Sequence, residues 1–177
     1  MNNHKTKVLE TSRLLLRHLT LDDQDDLFAL YRDREVMQHI ADAPKSYEET
    51  REELERIIQE YYGRYGFGLW ATLLKETGSF IGRGGLIPWM IEEREEVEVA
   101  CALNRKYWGK GLGTEAAQAI ARYGFEHLHF SRLICLIMSE NHASIHTARM
   151  IGMTFEKEVE VDGKRVLLFS ATKPPDR

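Results

Sequence analysis

The chain has 177 residues, of which 43% are hydrophobic and 29% charged, with a net charge of −4. This composition fits one globular domain over residues 1–177, ending in a short tail at 173–177. The acidic balance argues against a nucleic-acid partner, and no apolar run is long enough to span a membrane. Cys101 and Cys135 lie in apolar strand-like runs, and no signal-peptide pattern opens the chain, so we expect a cytoplasmic protein without disulfides.

The first half of the chain predicts one strand, two helices and a hairpin. A strand is expected over residues 14–19, and the acidic segment after Thr20 has apolar residues at helical spacing. A second helix begins at a capping box formed by Ser46 and Glu49. Two strand-like runs, FGLWATLLK and SFIGRGGLIPW, are separated by the four residues ETGS, which predicts a hairpin.

The run EEVEVACAL alternates between two faces. Val97, Val99 and Cys101 share one face, while Glu96 and Glu98 share the other. This alternation predicts a strand that presents carboxylates on one side and apolar side chains on the opposite side.

A crossover unit follows this strand. A helix is predicted from Thr114 to about His129, and the continuous apolar run RLICLIM predicts a strand that is buried on both faces. The strands before and after the helix should therefore be parallel neighbours. A short helix ending at Gly152 and two strands joined by an Asp-Gly turn complete an α/β (α+β) chain.

Three glycines, Gly109, Gly111 and Gly113, stand directly before the crossover helix. The first backbone N–H groups of a helix have no intrahelical partner, and glycines before them let a phosphate approach the backbone. Lys110 adds a positive charge. The pattern favours a phosphate or pyrophosphate site, although a tight turn entering a helix would use glycines as well.

Two other phosphate motifs fit less well. No Walker A sequence is present. A dinucleotide fingerprint would place Gly111, Gly113 and Ala116 at its conserved spacing and Glu140 after the next strand. However, the fingerprint begins where its strand ends, and here residues 105–108 separate the strand from the first glycine. No further strand–helix–strand repeat completes a doubly wound sheet either.

The stretch WGKGLGTEA resembles the acyl-CoA pyrophosphate loop of the GCN5-related N-acetyltransferase (GNAT) superfamily. Trp108 stands where that loop usually has Arg or Gln, and a tryptophan there is typical of the RimJ/RimL-like branch. The segments LETSRLLLRHLTLDDQDDLFALYRD, EVEVACALNRKYWGKG and ENHASIHTARMIGM resemble the same branch in the same order.

The resemblance implies a fold and a cosubstrate. The fold is a mixed, mostly antiparallel sheet of about seven strands with one splayed parallel pair, flanked by about four helices. The cosubstrate is acetyl-CoA, and no metal is implied. By the resemblance, the residues that bind it are Cys101, Leu103, Trp108, Gly109, Lys110, Gly111, Leu112, Gly113, Thr114 and Asn141.

Transfer of an acetyl group to an amine needs a base, an oxyanion site and a stabilised leaving thiolate. We expect Glu98 to be the base, with Glu96 on the same face as the reserve candidate; a solvent-facing glutamate is the structural alternative. The resemblance implies an oxyanion site formed by backbone N–H groups around residues 101–103.

The leaving group has two candidate proton donors in the superfamily. Many relatives carry a tyrosine seven residues after the asparagine, but that position is Ala148 here. The RimL-like alternative is Ser144, which could also be an ordinary first-turn serine. His142 and His146 stand at i and i+4, but the chain suggests no third metal ligand.

The sequence therefore predicts an N-acetyltransferase whose partner is an amine acceptor, either a small molecule such as a polyamine or a protein N-terminus. A non-catalytic acyl-CoA or nucleotide-binding module on the same fold is the alternative, and a nicotinamide-binding domain is a third. A homodimer is left open.

Overall fold

A computed structural model of the chain describes residues 6–40 and 45–173. Almost all of the expected tail at 173–177 lies outside these residues. The described strands are β1 Lys7–Glu10, β2 Leu14–His18, β3 Leu69–Leu74, β4 Phe80–Ile91, β5 Arg94–Leu103, β6 Arg132–Ile137, β7 Thr154–Val161 and β8 Lys164–Thr172. The described α-helices are α1 Gln24–Tyr31, α2 Arg34–Met37, α3 Tyr47–Arg56, α4 Leu112–Glu126 and α5 His142–Met150.

The eight described strands form one sheet in the order β1-β2-β3-β4-β5-β6-β8-β7. All neighbouring pairs are antiparallel except β5 and β6, which are parallel as predicted. The predicted mixed α/β fold is thus confirmed, with one strand more than expected. The additional strand, β1, has only two apolar residues between Lys7 and Glu10, too few to show an alternating pattern.

Two local features that the sequence predicts, the capping box and the Asp-Gly turn, are present in the structure. The backbone N–H of Glu49 donates to Ser46 Oγ at 3.1 Å, and that of Ser46 donates to Glu49 Oε2 at 2.7 Å, which completes the capping box of α3. Asp162 and Gly163 have φ angles of 50° and 74°, as the turn between β7 and β8 requires. Residues Ile57–Tyr65 continue directly from α3, but as a π-helix rather than an α-helix.

Strand β5 divides the hydrophobic core into two layers. Val99 and Leu103 pack with α4 residues on one face, while Ala100 and Ala102 pack with residues of α1 and α3 on the other. The alternation read from the sequence is therefore confirmed. Glu98 shares the face of Ala100 and Ala102.

Strands β5 and β6 separate soon after they meet. Within the described residues their ladder has one paired position, Glu98 with Ile134. The remainder of β5, from Val99 to Leu103, is paired only with β4 on its other side. This separation opens a gap in the centre of the sheet.

Candidate active site

A cavity of about 930 Å³ occupies the gap between β5 and β6. One wall is the segment from Tyr107 to Thr114, and a second is the start of α5. A third wall is the face of β4 and β5 that carries Glu98. Residues after α2 and the turn between β7 and β8 border it at the outside. The volume is within the range of a small-molecule site.

The glycine loop leaves its backbone bare toward the cavity. Gly109 and Gly111 have φ angles of 71° and 75°, which only glycine adopts without strain. A Cβ atom at Gly109 would meet no atom within 4 Å. Helix α4 begins at Leu112, two residues earlier than predicted, so Gly113 lies in its first turn. The unpaired N–H groups of this turn and the open backbone have the geometry that the predicted anion site requires.

The loop is fixed from outside by Arg13, which sequence analysis had not singled out. Its Nε and a terminal nitrogen both lie 2.6 Å from Glu115 Oε2, and its other terminal nitrogen donates to the Lys110 carbonyl at 3.0 Å. Burial acts to raise the pKa of Glu115, but hydrogen bonds from Thr11 and Arg13 outweigh it and hold that pKa below its usual value. The contact ties the start of α4 to the segment before β2.

Two predicted cosubstrate residues beside the loop behave differently. The indole N–H of Trp108 donates to the Leu103 carbonyl at 2.7 Å, so Trp108 closes the end of β5 while lining the cavity. Lys110 is not among the described residues that line the cavity. Its ammonium nitrogen lies 5.6 Å from the centre of the Tyr107 ring.

The main chain of β5 faces the gap at Val99, Cys101 and Leu103. The Val99 carbonyl accepts a hydrogen bond from the Cys135 thiol at 3.3 Å, across the gap. The Ala102 carbonyl points the other way, because a Cβ at Gly82 on β4 would lie 2.2 Å from it. Since main-chain directions alternate along a strand, the N–H and C=O of Cys101 face the cavity. Burial raises the pKa of the Cys101 thiol to about 12, so this thiol is neutral.

Glu98 lines the cavity close to the point where the two strands part. Its Oε2 accepts a hydrogen bond from the Trp89 indole N–H at 2.7 Å, and Oε1 accepts one from the Leu136 backbone N–H at 3.4 Å. Burial raises the pKa of Glu98, and the two hydrogen bonds and the charge of Arg83 offset only part of this increase, so the resulting pKa is about 7. A carboxylate with this pKa can accept and release a proton near neutral pH.

The reserve candidate, Glu96, is engaged elsewhere. It is only 6% exposed, it is not among the described residues that line the cavity, and its Oε2 lies 3.0 Å from Arg132 Nε. Arg132 in turn reaches Glu156 at 2.8 Å. This arrangement places Glu96 in an ion-pair network that ties β5 to β6 and β7.

Asn141 and Ser144 line the cavity from the start of α5. Asn141 is the N-cap of the helix, and its Oδ1 accepts a hydrogen bond from the Ser144 backbone N–H at 3.1 Å. The Ser144 hydroxyl has no hydrogen-bond partner among the described residues. Ala148 also borders the cavity, but it is 1% exposed and packed in the core. No group of three or more potential metal ligands is found in the described residues, and His142 and His146 are exposed.

Two residues of β4 border the cavity that sequence analysis did not select. Trp89 donates a hydrogen bond to Glu98, and Arg83 lies further along β4 on the same face of the sheet. The signal in the sequence was weak, because neither belongs to a local motif. Pairing of β4 with β5 brings them to the site: Ile87 is opposite Glu98, and Arg83 is opposite Ala102.

Comparison with known sequences decides the family. Residues 13–154 match the sequence model of a family described as "Acetyltransferase (GNAT) domain". The chain belongs to the GNAT acetyltransferases. It is 35% identical over 168 residues to the uncharacterized protein YkkB of Bacillus subtilis (strain 168), a match that covers 94% of this chain and 96% of YkkB.

Two further comparisons agree with this assignment. An uncharacterized N-acetyltransferase of Bacillus licheniformis named p20 is 29% identical over 86% of this chain and 84% of its own length. The solved structure of the ribosomal protein acetyltransferase RimL in complex with coenzyme A has a TM-score of 0.78 and 18% identity, covering 96% of this chain and 99% of RimL. At that identity the likeness establishes the fold. This GNAT protein is an acetyltransferase enzyme, and no described helix is long and apolar enough to cross a membrane.

Proposed function

We propose that this GNAT protein is an acetyl-CoA-dependent N-acetyltransferase of the RimJ/RimL-like branch, acting on a primary amine by direct attack in a ternary complex. The observation that carries the proposal is Glu98, a carboxyl with a pKa of about 7 that lines a cavity in the gap between β5 and β6. The placement within the branch rests on Trp108 and on the three segments that resemble it.

The residues around the cavity fit acetyl-CoA, which supplies the activated thioester. Gly109, Gly111 and the first turn of α4 offer bare backbone and N–H groups to its pyrophosphate. The pantetheine arm would lie in the gap between β5 and β6, against the main chain of Cys101 and the Asn141 side chain. Lys110 would contribute its charge from the rim of the loop, because its side chain lies outside the cavity lining.

The chain's own groups then divide the proton transfers. Glu98 accepts a proton from the acceptor ammonium, which leaves a neutral amine to form the new bond to the acetyl carbon. The backbone N–H of Cys101 faces the cavity and stabilises the carbonyl oxygen as it gains charge. The carbon–sulfur bond breaks as the Ser144 hydroxyl gives its proton to the leaving sulfur, and the second proton lost by the newly acetylated nitrogen restores the serine hydroxyl. The proton taken up by Glu98 passes to solvent, which returns the carboxylate for the next turnover. The positive end of α5 also favours a negative sulfur beside it.

The test is acetyl-CoA-dependent release of free thiol with a panel of primary amines. Glu98→Gln should bind acetyl-CoA normally but lower kcat by about 10²–10³-fold, since a general base contributes about 10²–10⁴-fold. The loss should shrink as pH rises and free amine becomes plentiful. Glu95→Gln is the matched control, because Glu95 is exposed on the same strand and is not among the described cavity residues.

Three results would contradict parts of this proposal. A wild-type rate for Glu98→Gln would remove the base. A loss that is independent of pH would assign Glu98 to positioning rather than to proton transfer. Acetyl-CoA binding without thiol release for any amine would favour the non-catalytic acyl-CoA-binding module.

A further inference from the structure

Arg83 is a buried arginine at the wall of the cavity. It is 5% exposed, and it lies on β4 between Ala71 of β3 and Ala102 of β5. These two alanines leave room above the sheet for a long side chain. Arg83 also lines the cavity, on the same sheet face as Glu98.

The protein does not neutralise this guanidinium. Its Nε donates to the Tyr31 hydroxyl at 3.1 Å, and its central carbon lies 5.7 Å from the centre of the Tyr31 ring. Tyr31 donates in turn to Glu53, but Glu53 is paired with Lys45. Among the described residues, no carboxylate pairs with Arg83 and no acceptor receives a hydrogen bond from its two terminal nitrogens.

The charged groups around Arg83 are of both signs: Lys45 is a cation, and Glu53 and Glu98 are carboxylates. Burial lowers the pKa of Lys45 to about 8, and the charges of Arg83 and Arg56 lower it further. Glu98 is near enough for the Arg83 charge to lower its pKa, but no ion pair joins the two. Because Arg83 lines the cavity and only its Nε has a protein acceptor, its two terminal nitrogens are left to water or to an anion bound in the cavity.

The free edge of the guanidinium is suited to one kind of ligand. Two parallel N–H donors match the two oxygens of a carboxylate, whereas the ammonium group of a lysine could not make this paired contact. A diamine or polyamine would instead bring a second positive charge next to Arg83. Arg83 therefore favours amines that carry a carboxylate over diamines and polyamines, two acceptor classes that the family assignment does not separate.

We propose that Arg83 binds a carboxylate of the acceptor, and that the acceptor is an amino acid or a closely related small amino carboxylate whose amine is acetylated. This inference rests on the proposed function, because it assumes that the amine lies at Glu98 and the carboxylate at Arg83. Both groups line one cavity and lie on the same sheet face, with Arg83 four residues along β4 from Ile87, the residue opposite Glu98.

The experiment compares each acid with its neutral amide as acceptor: glycine and glycinamide, β-alanine and β-alaninamide, γ-aminobutyrate and γ-aminobutyramide. The diamine putrescine serves as the cationic counterpart. For the acid of best-fitting length, kcat/KM should exceed that of its amide by at least about tenfold, chiefly through KM, which corresponds to about 1.4 kcal/mol. Which length is preferred reports the distance between the Glu98 and Arg83 sites.

Variants assign the preference to Arg83. Arg83→Gln should reduce the acid-to-amide ratio to about one while acetyl-CoA affinity is kept. Arg83→Lys keeps the charge without the paired donors and should retain part of the ratio. Arg122→Gln, the same substitution at an exposed arginine of α4, should leave the ratio unchanged. Near-ultraviolet circular dichroism checks that each variant is folded.

The wild-type comparison alone can overturn the proposal, even if Arg83→Gln does not fold. Amides or putrescine preferred over every acid would refute it, as would an unchanged ratio in folded Arg83→Gln. If no amine reacts, the N-acetyl acids and N-acetyl amides are titrated by thermal shift against wild type saturated with coenzyme A. Stabilisation by the acids only, lost in Arg83→Gln, would support the carboxylate site although the proposed catalysis had failed. Equal or no stabilisation would refute it.

Discussion

Replacing Glu98 by glutamine should make the protein more stable at neutral pH while making it a poorer enzyme. The carboxyl has a pKa of about 7 in the folded state, against an ordinary value of 4.5. Between these values the folded state holds a proton that the unfolded state has released, so the free energy of unfolding falls as pH rises through this window. Glutamine cannot ionise, and its amide oxygen can still accept the hydrogen bond from Trp89.

The size of the effect follows from the shift. One pKa unit corresponds to about 1.4 kcal/mol, so the ionised carboxylate costs the fold about 3 kcal/mol above pH 7. At pH 5 the folded carboxyl is still protonated, and the cost is below about 1 kcal/mol. For a chain of 177 residues, the difference at pH 8 corresponds to a Tm increase of about 5–10 °C.

The assay is urea and thermal unfolding of wild type and Glu98→Gln at pH 5 and pH 8, without acetyl-CoA. Glu96→Gln is the matched control on the same strand and face. It breaks a buried ion pair with Arg132, and it should lower the free energy of unfolding at pH 8 by about 1–3 kcal/mol. Glu98→Gln that is equal to or less stable than wild type at pH 8 would refute the reasoning, as would a gain of the same size at both pH values.

Two further predictions test the cosubstrate side of the cavity. Gly113→Val should weaken acetyl-CoA binding at least about tenfold in calorimetry, because it puts a branched side chain at the proposed anion site. The protein itself should tolerate this side chain, since the backbone φ is ordinary and the closest side-chain atom, on Leu103, is 3.9 Å away. Gln118→Val, at an exposed site of the same helix, should bind normally, and unchanged affinity in folded Gly113→Val would remove the pyrophosphate assignment. Ser144→Ala should lower kcat by roughly 10–100-fold with little change in acetyl-CoA affinity, and a wild-type rate where chemistry limits turnover would make the serine structural.

The geometry of the proposed cosubstrate half of the site could be predicted because it is local in sequence. Gly109 and Gly111 permit the left-handed backbone that the structure shows, and the unpaired amides of α4 follow directly after them. The same holds for Asn141 as an N-cap and for the Asp-Gly turn. In each case the physical cause acts within a few residues, so the pattern is visible without a fold.

The proposed acceptor half could not be predicted because strand pairing assembles it. Trp89 and Arg83 become neighbours of Glu98 only through the register of β4 against β5. Nothing in the run SFIGRGGLIPW distinguishes a buried, unpaired arginine from a solvated one. The raised pKa of Glu98 depends on the same pairing, since burial is its largest cause. Arg13 likewise lies 102 residues from Glu115, the partner through which it fixes the glycine loop.

The separation between Glu98 and Arg83 is itself part of the chemistry. A guanidinium in direct contact with a carboxylate lowers its pKa by about one to three units, which would leave Glu98 a weak base. Trp89 occupies one oxygen of Glu98 with a neutral donor instead, and Arg83 is held back by Tyr31. Glu98, the proposed base, therefore keeps a pKa of about 7, and the two terminal nitrogens of Arg83 keep their donors free. One sheet face thus carries the proposed proton acceptor and the proposed carboxylate site, and no ion pair joins them. A substrate with an ammonium at one end and a carboxylate at the other would complement both.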